Sequence, residues 1–134
     1  MNEIQIIQKQ IATERAHFAE IAAACATPPA PGSLSSPGSS GSDRVAACTD
    51  YFAFALTRFE PAAAERLTAA LARGLDADFL AAFTEAARAH FDELDALLGR
   101  SVPVTGWRAL ARIDADSIFA ERTRYARVKA LIPQ

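Results

Sequence analysis

Apolar side chains recur along this chain at intervals of three and four residues, a spacing that predicts amphipathic helices. The stripe of the first helix is Ile4, Ile7, Ile11, Glu14, Phe18, Ile21 and Cys25. The stripe of the last helix is Trp107, Ala111, Asp114, Ile118, Glu121, Tyr125, Val128 and Ile132. Two segments between them share the spacing, and no segment alternates as a strand would. The pattern therefore predicts an all-α protein with four helices.

Turn-forming and capping residues give the expected boundaries of these helices. The first runs over 2–25, and a Pro/Gly/Ser-rich segment over 26–43 predicts a flexible linker before the second. Pro61 lacks a backbone donor, so the second helix is expected to kink or break there. Asp76 is the expected N-cap of the third helix, and Thr105 that of the fourth.

Four amphipathic helices joined by loops fold most simply as an antiparallel up-down-up-down four-helix bundle. A chain of 134 residues is long enough for one such domain, which we expect to span 1–134. The two cysteines, Cys25 and Cys48, lie on either side of the predicted linker, at helix ends that meet in an antiparallel pair. A disulfide between them is geometrically possible, but we interpret them as small core thiols.

Four polar residues occupy positions of the inner helix faces where apolar residues are expected: Glu14, His90, Asp114 and Glu121. Buried carboxylates are costly unless they are paired, hydrogen-bonded or bound to a metal. In the predicted bundle these groups converge near mid-height, with Arg15, His17 and Arg66 as a possible outer shell. Carboxylate and imidazole ligands would suit iron (Fe), manganese (Mn) or zinc (Zn).

A purely structural role for these four residues is the stronger hypothesis. Carboxylates on an inner face often pair with arginines, and Arg15 and Arg122 directly follow Glu14 and Glu121 in the sequence. The chain has no Glu-x-x-His pair of the di-iron type, no phosphate-binding glycine loop and no Gly-x-Ser-x-Gly elbow. These absences weigh against an enzyme and against a resident cofactor.

The function that the sequence favours is a helical interaction or scaffold protein that self-associates or binds a protein partner. Ile6 and Phe54 lie on the backs of their helices, which suggests a subunit contact. The alternative is a bundle that binds a metal or a small ligand through the inner carboxylates and His90, with a redox or sensing role.

Charge and hydropathy exclude two classes of partner. The formal net charge is -2, which gives no general attraction to nucleic acid or to anionic lipid. No apolar run approaches the roughly 20 residues that cross a bilayer. No signal peptide is evident at the N-terminus, so the expected location is the cytoplasm.

Overall fold

A computed structural model describes residues 2–26 and 41–131 of the chain, and within these ranges the structure is helical with no strand. The elements are α1 (Glu3–Ala26), α2 (Gly41–Ala55), a 3-10 turn (Leu56–Arg58), α3 (Pro61–Ala72), α4 (Ala77–Asp95), α5 (Val104–Ala111) and α6 (Ala115–Leu131). The predicted all-α class is confirmed. A simple four-helix bundle is not, because these ranges contain six α-helices. Most of the predicted 26–43 linker, residues 27–40, lies outside the described residues.

Side-chain caps explain where α1 and α4 begin. The backbone N–H of Gln5 donates to Asn2 Oδ1, and the backbone N–H of Asn2 donates to Gln5 Oε1, which is a reciprocal capping box. At the start of α4 the Asp76 carboxylate accepts from the backbone N–H of Phe79 at 2.9 Å, as the sequence predicts. Each cap satisfies a donor that the first helical turn leaves without a partner.

The second predicted helix is broken at Pro61, as the sequence indicates. α2 ends at Ala55, the 3-10 turn follows, and Phe59 and Glu60 are extended. Pro61 then occupies the first turn of α3, where its missing N–H costs no hydrogen bond and its fixed φ suits the helix. The break therefore creates a separate helix rather than a kink.

The fourth predicted helix is also two helices, which the sequence analysis did not anticipate. Arg112 ends α5 in the left-handed region, with φ 56 and ψ 41. α6 then begins with a second reciprocal cap. Asp114 Oδ1 accepts from the N–H of Ser117 at 2.8 Å, and Ser117 Oγ accepts from the N–H of Asp114 at 2.8 Å. Thr105 does not cap a helix, because α5 begins at Val104.

Because α3 is a separate helix, the helices that follow it run in the opposite direction to the one that the four-helix prediction gives them. Both α2 and α4 run antiparallel to α1: Cys48 lies beside Cys25, and Asp92 beside Arg15. α6 runs parallel to α1, since Glu121 contacts Gln10 and Tyr125 contacts Glu20. The predicted up-down-up-down order places the first and last helices antiparallel, and this part of the prediction is wrong.

Aromatic rings fill the centre of the core. The Phe18 ring lies at 5.3–6.3 Å, centroid to centroid, from the rings of Tyr51, Phe59, Phe83 and Phe91. Most of these contacts are edge-to-face or tilted, the geometries that aromatic pairs prefer. The Phe18 side chain is therefore the point at which α1, α2, α4 and the segment before α3 meet. The polar residues described below surround this cluster.

Candidate functional site

The buried Glu14 is neutralised by a side chain from the 3-10 turn. Arg58 Nε donates to Glu14 Oε1 at 2.7 Å, and Arg58 Nη2 donates to Glu14 Oε2 at 2.9 Å. Glu14 is 0 % exposed and Arg58 is 2 % exposed. A two-point arginine–carboxylate pair satisfies the charge and the geometry of both groups inside the protein.

Arg15 is not the partner of Glu14. It lies on the surface of α1, where it forms ion pairs with Asp92 and Asp95 of α4. Consecutive residues of a helix point about 100° apart, so a neighbour in sequence cannot reach into the same buried space. The sequence analysis therefore found the buried carboxylate but paired it with the wrong arginine.

Arg58 also fixes the turn between α5 and α6. Its guanidinium donates to the backbone carbonyls of Arg112 and Ser117. In return, Arg112 Nη1 donates to the carbonyl of Arg58 at 3.2 Å. These bonds stabilise the left-handed backbone of Arg112, a conformation that costs a non-glycine residue free energy.

Glu121 is the second buried carboxylate, and it accepts three hydrogen bonds. The donors are Tyr51 Oη at 2.6 Å, Gln10 Nε2 at 3.2 Å and the ring nitrogen His17 Nδ1 at 2.8 Å. Burial, and then the nearby Glu121 charge, raise the pKa of Tyr51, so its hydroxyl stays protonated and donates. The predicted participation of His17 is present, and the His17 ring stacks on Tyr125 at 3.5 Å.

Gln10 joins the two buried carboxylates. Its Nε2 donates to Glu14 Oε2 at 2.9 Å as well as to Glu121 Oε1. Both acids therefore belong to one hydrogen-bonded group, which we call the buried network: Gln10, Glu14, His17, Tyr51, Arg58 and Glu121. The sequence analysis placed Glu14 and Glu121 correctly inside the protein, but it missed Gln10, Tyr51 and Arg58.

Asp114 does not point into the protein. It is exposed and caps α6, and the backbone N–H of Ser117 lowers the pKa of its carboxyl group. The Asp-x-x-Ser spacing was the available signal for a cap, and the apparent apolar stripe outweighed it. The prediction that Asp114 faces the core is wrong, because the break after α5 changes the phase of the helix.

No group of three or more His, Cys, Asp or Glu side chains that could hold a metal ion occurs in residues 2–26 and 41–131. The oxygens of Glu14 and Glu121 bind Arg58, Tyr51, Gln10 and His17 instead. The four predicted ligands are therefore not assembled into one centre in this structure.

His90 lies in an open crevice between α3, α4 and α5, with a volume of about 620 Å³. The apolar residues of this crevice, apart from alanines, are Phe59, Leu94, Leu97 and Leu110. Its charged residues are Glu60, Glu85, Glu93, Arg66 and Arg112. Arg66 is exposed, so the structure brings it and His90 to the same surface rather than to the buried carboxylates.

The His90 ring is half-buried between Phe59 and Phe91, at centroid distances of 5.5 and 5.1 Å. Burial, followed by the positive charges of Arg112 and Arg58, lowers the pKa of His90 from 6.5 to about 4. His90 is therefore neutral at physiological pH and packs as an aromatic ring.

The low pKa of His90 predicts a loss of stability in acid. Between pH 6.5 and about 4 the unfolded chain binds a proton that the folded chain does not, so stability falls as the pH falls through this range. We expect His90 to account for about 2 kcal/mol, a reduced figure because its ring keeps some contact with water. Urea unfolding at several pH values, with His90→Gln as the reference, measures this difference. Equal pH dependence in both proteins would contradict it.

Ile6 and Phe54, the predicted contact residues, differ in their surroundings. Ile6 is 43 % exposed on α1. Phe54 is half-buried, and the guanidinium carbons of Arg58 and Arg124 lie 4.9 and 5.1 Å from its ring centroid. Phe54 thus has partners within the chain, and an interface role for Ile6 or for Phe54 stays a prediction.

None of the helices in the described ranges is both long and apolar enough to cross a membrane. Comparison of the whole chain with models of known protein families, with curated proteins and with solved structures finds no match.

Proposed function

We propose that this protein is a helical interaction domain that associates with a second copy of itself through the crevice between α3, α4 and α5. One observation supports the proposal: the crevice is lined by apolar residues together with charged residues of both signs. The proposal keeps the cytoplasmic location and the self-association that the sequence favours.

The apolar residues of the crevice supply the driving force for association. Leu110 is 41 % exposed, and the partly buried Leu97 lines the same space. Removing such surface from water contributes about 25 cal/mol for each Å².

The charges of the crevice suit a symmetric partner. A two-fold interface brings the same patch of both copies together, so every positive group must meet a negative group of the same patch. Arg66 and Arg112 can pair with Glu60, Glu85 and Glu93 of a second copy in this way. A patch of one sign would repel itself.

The buried network supports a scaffold rather than a reaction. Glu14 and Glu121 each have hydrogen-bonded partners, and both are essentially inaccessible to solvent. In our proposal the network holds α1, α2 and α6 as a rigid, bundle-like support for the crevice. A catalytic acid or base would need access to a substrate.

Sedimentation velocity over a concentration series tests the proposal. We expect wild-type mass to rise toward that of a dimer, and Leu110→Glu to weaken association by at least about tenfold, because it places an extra charge in an apolar contact. Ile6→Glu is the matched control, since Ile6 and Leu110 are almost equally exposed on the surface, at 43 % and 41 %. Weakening by Ile6→Glu alone would assign the contact to α1 and reject the crevice.

Binding of a small molecule is the second candidate, and the size of the crevice favours it. Its volume of about 620 Å³ lies within the range of ordinary ligand pockets. The apolar anion anilinonaphthalene sulfonate is a suitable probe, because its rings fit the leucines and its sulfonate fits Arg66 or Arg112. Two results would favour this candidate over self-association: the wild-type protein binds the dye as a monomer, and Leu110→Glu abolishes that binding.

A further inference from the structure

Cys25 and Cys48 contact each other where the end of α1 meets the beginning of α2. Cys25 Sγ donates to Cys48 Sγ at 2.7 Å, and both residues are free thiols. Neither lines the crevice of the proposed interaction, so the contact is an independent observation. A disulfide requires two side chains that point at each other across neighbouring backbone, and the Sγ atoms of this pair are already in contact.

The surroundings stabilise a thiolate on Cys48. Arg44 precedes Cys48 by one helical turn, and its Nη2 is held by the carbonyl of Ala24 at 2.7 Å. The hydrogen bond from Cys25, together with the charge of Arg44, lowers the pKa of the Cys48 thiol. The same hydrogen bond raises the pKa of Cys25.

The two sulfurs differ in access. Cys48 is buried, whereas Cys25 is half-buried and lines a groove between α1 and α4 that is open to solvent. A reagent from solution therefore meets Cys25 first. The arrangement places an accessible sulfur directly beside a buried one, so Cys25 is positioned to react first and Cys48 to resolve the mixed disulfide.

We propose that Cys25 and Cys48 form a thiol–disulfide exchange site that accepts a small disulfide of the glutathione class and ends as a disulfide between α1 and α2. The Cys25 sulfur, as its proton passes to the Cys48 thiolate, attacks one sulfur of the small disulfide, whose S–S bond breaks and releases one thiolate; Cys48 then gives this proton to the released thiolate. The Cys48 sulfur then attacks Cys25 and releases the second. The pair loses two electrons, which reduce the small disulfide, and the released thiols take up two protons.

The experiment incubates the full chain with mixtures of oxidised and reduced glutathione, blocks the remaining thiols by alkylation and measures the intact mass. Wild type is expected to lose two hydrogen atoms and to carry no glutathione. Cys48→Ser is expected to stop with one glutathione on Cys25. Cys25→Ser is expected to react at least about tenfold more slowly, because its remaining thiol is buried.

A covalent tie between residues 23 positions apart also predicts a higher melting temperature for the oxidised wild type, by about 10 °C. Cys48→Ala repeats the exchange test if the serine variant does not fold. Retention of both thiols, accumulation of covalent dimers, or equal reaction of Cys25→Ser and Cys48→Ser would each overturn the proposal.

Discussion

Replacing Arg58 with methionine is expected to lower the free energy of unfolding by about 3–5 kcal/mol, the usual cost of leaving a buried charge without its partner. Glu14 is fully buried, and both of its oxygens accept hydrogen bonds from the Arg58 guanidinium. The variant also removes the donor to the carbonyl of Arg112, at the end of α5. Urea denaturation measured at neutral pH gives the value.

A double variant separates the lost ion pair from lost packing. Glu14→Leu combined with Arg58→Met removes both charges, so it should recover at least half of the stability lost in the single variant. Full recovery is not expected, because the Arg112 carbonyl still lacks the hydrogen bond from Arg58. Glu14→Leu alone should be as damaging as Arg58→Met.

Arg15→Met is the matched control for this series. Arg15 pairs with two different carboxylates, Asp92 and Asp95, but on the surface, where such pairs contribute less than about 1 kcal/mol. Similar losses in Arg15→Met and Arg58→Met would contradict the assignment of the Glu14–Arg58 pair as the stabilising contact.

Phe18→Ala is expected to destabilise the protein by about 3–5 kcal/mol, the range measured for large-to-small changes at aromatic core positions. Phe18 is 1 % exposed and contacts four aromatic rings. Its removal therefore leaves a cavity that movements of α1, α2 and α4 cannot fill. A fall in melting temperature of more than about 10 °C should accompany it.

Phe119→Ala provides the comparison with the same chemical change. Phe119 is 71 % exposed on α6, so its truncation should alter stability by less than about 0.5 kcal/mol. A large loss in Phe119→Ala, or a small one in Phe18→Ala, would show that the core does not lie where the aromatic contacts place it.

The sequence predicted α1 well because its signal is local and repeated. Ile7, Ile11, Glu14, Phe18 and Ile21 follow one face of the helix, and each of them is buried. The break at Pro61 was equally readable, since proline changes the backbone wherever it occurs. Features of this kind depend on neighbours in the sequence and need no knowledge of the fold.

The break between α5 and α6 was hidden because its cause is distant in the sequence. Arg112 adopts left-handed geometry beside Arg58, a residue 54 positions away that binds its carbonyl. No glycine or proline marks the position, and the apolar spacing passes through it. The wrong placement of Asp114 followed from reading α5 and α6 as one helix, and the wrong direction of the last helix followed from counting α2 and α3, which the break at Pro61 separates, as one helix of the bundle.

Only part of the candidate site was predictable, because local spacing does not show contacts between distant segments of the chain. Helical spacing identified Glu14 and Glu121 as inward-facing, but spacing within one helix carries no information on which partner another helix supplies. Arg58 and Tyr51 are such partners. His90 and Arg66 were grouped with the carboxylates, whereas the added helix α3 places both of them at the crevice.

The shared hydrogen bonds of Glu14, Arg58, Tyr51 and Glu121 constrain how this sequence can vary over evolutionary time. Each of these side chains satisfies another that is itself buried, so a lone replacement passes through a poorly folded intermediate. Descendants that lose one member should carry compensating changes at the others. Covariation among these positions would be the heritable trace of the network.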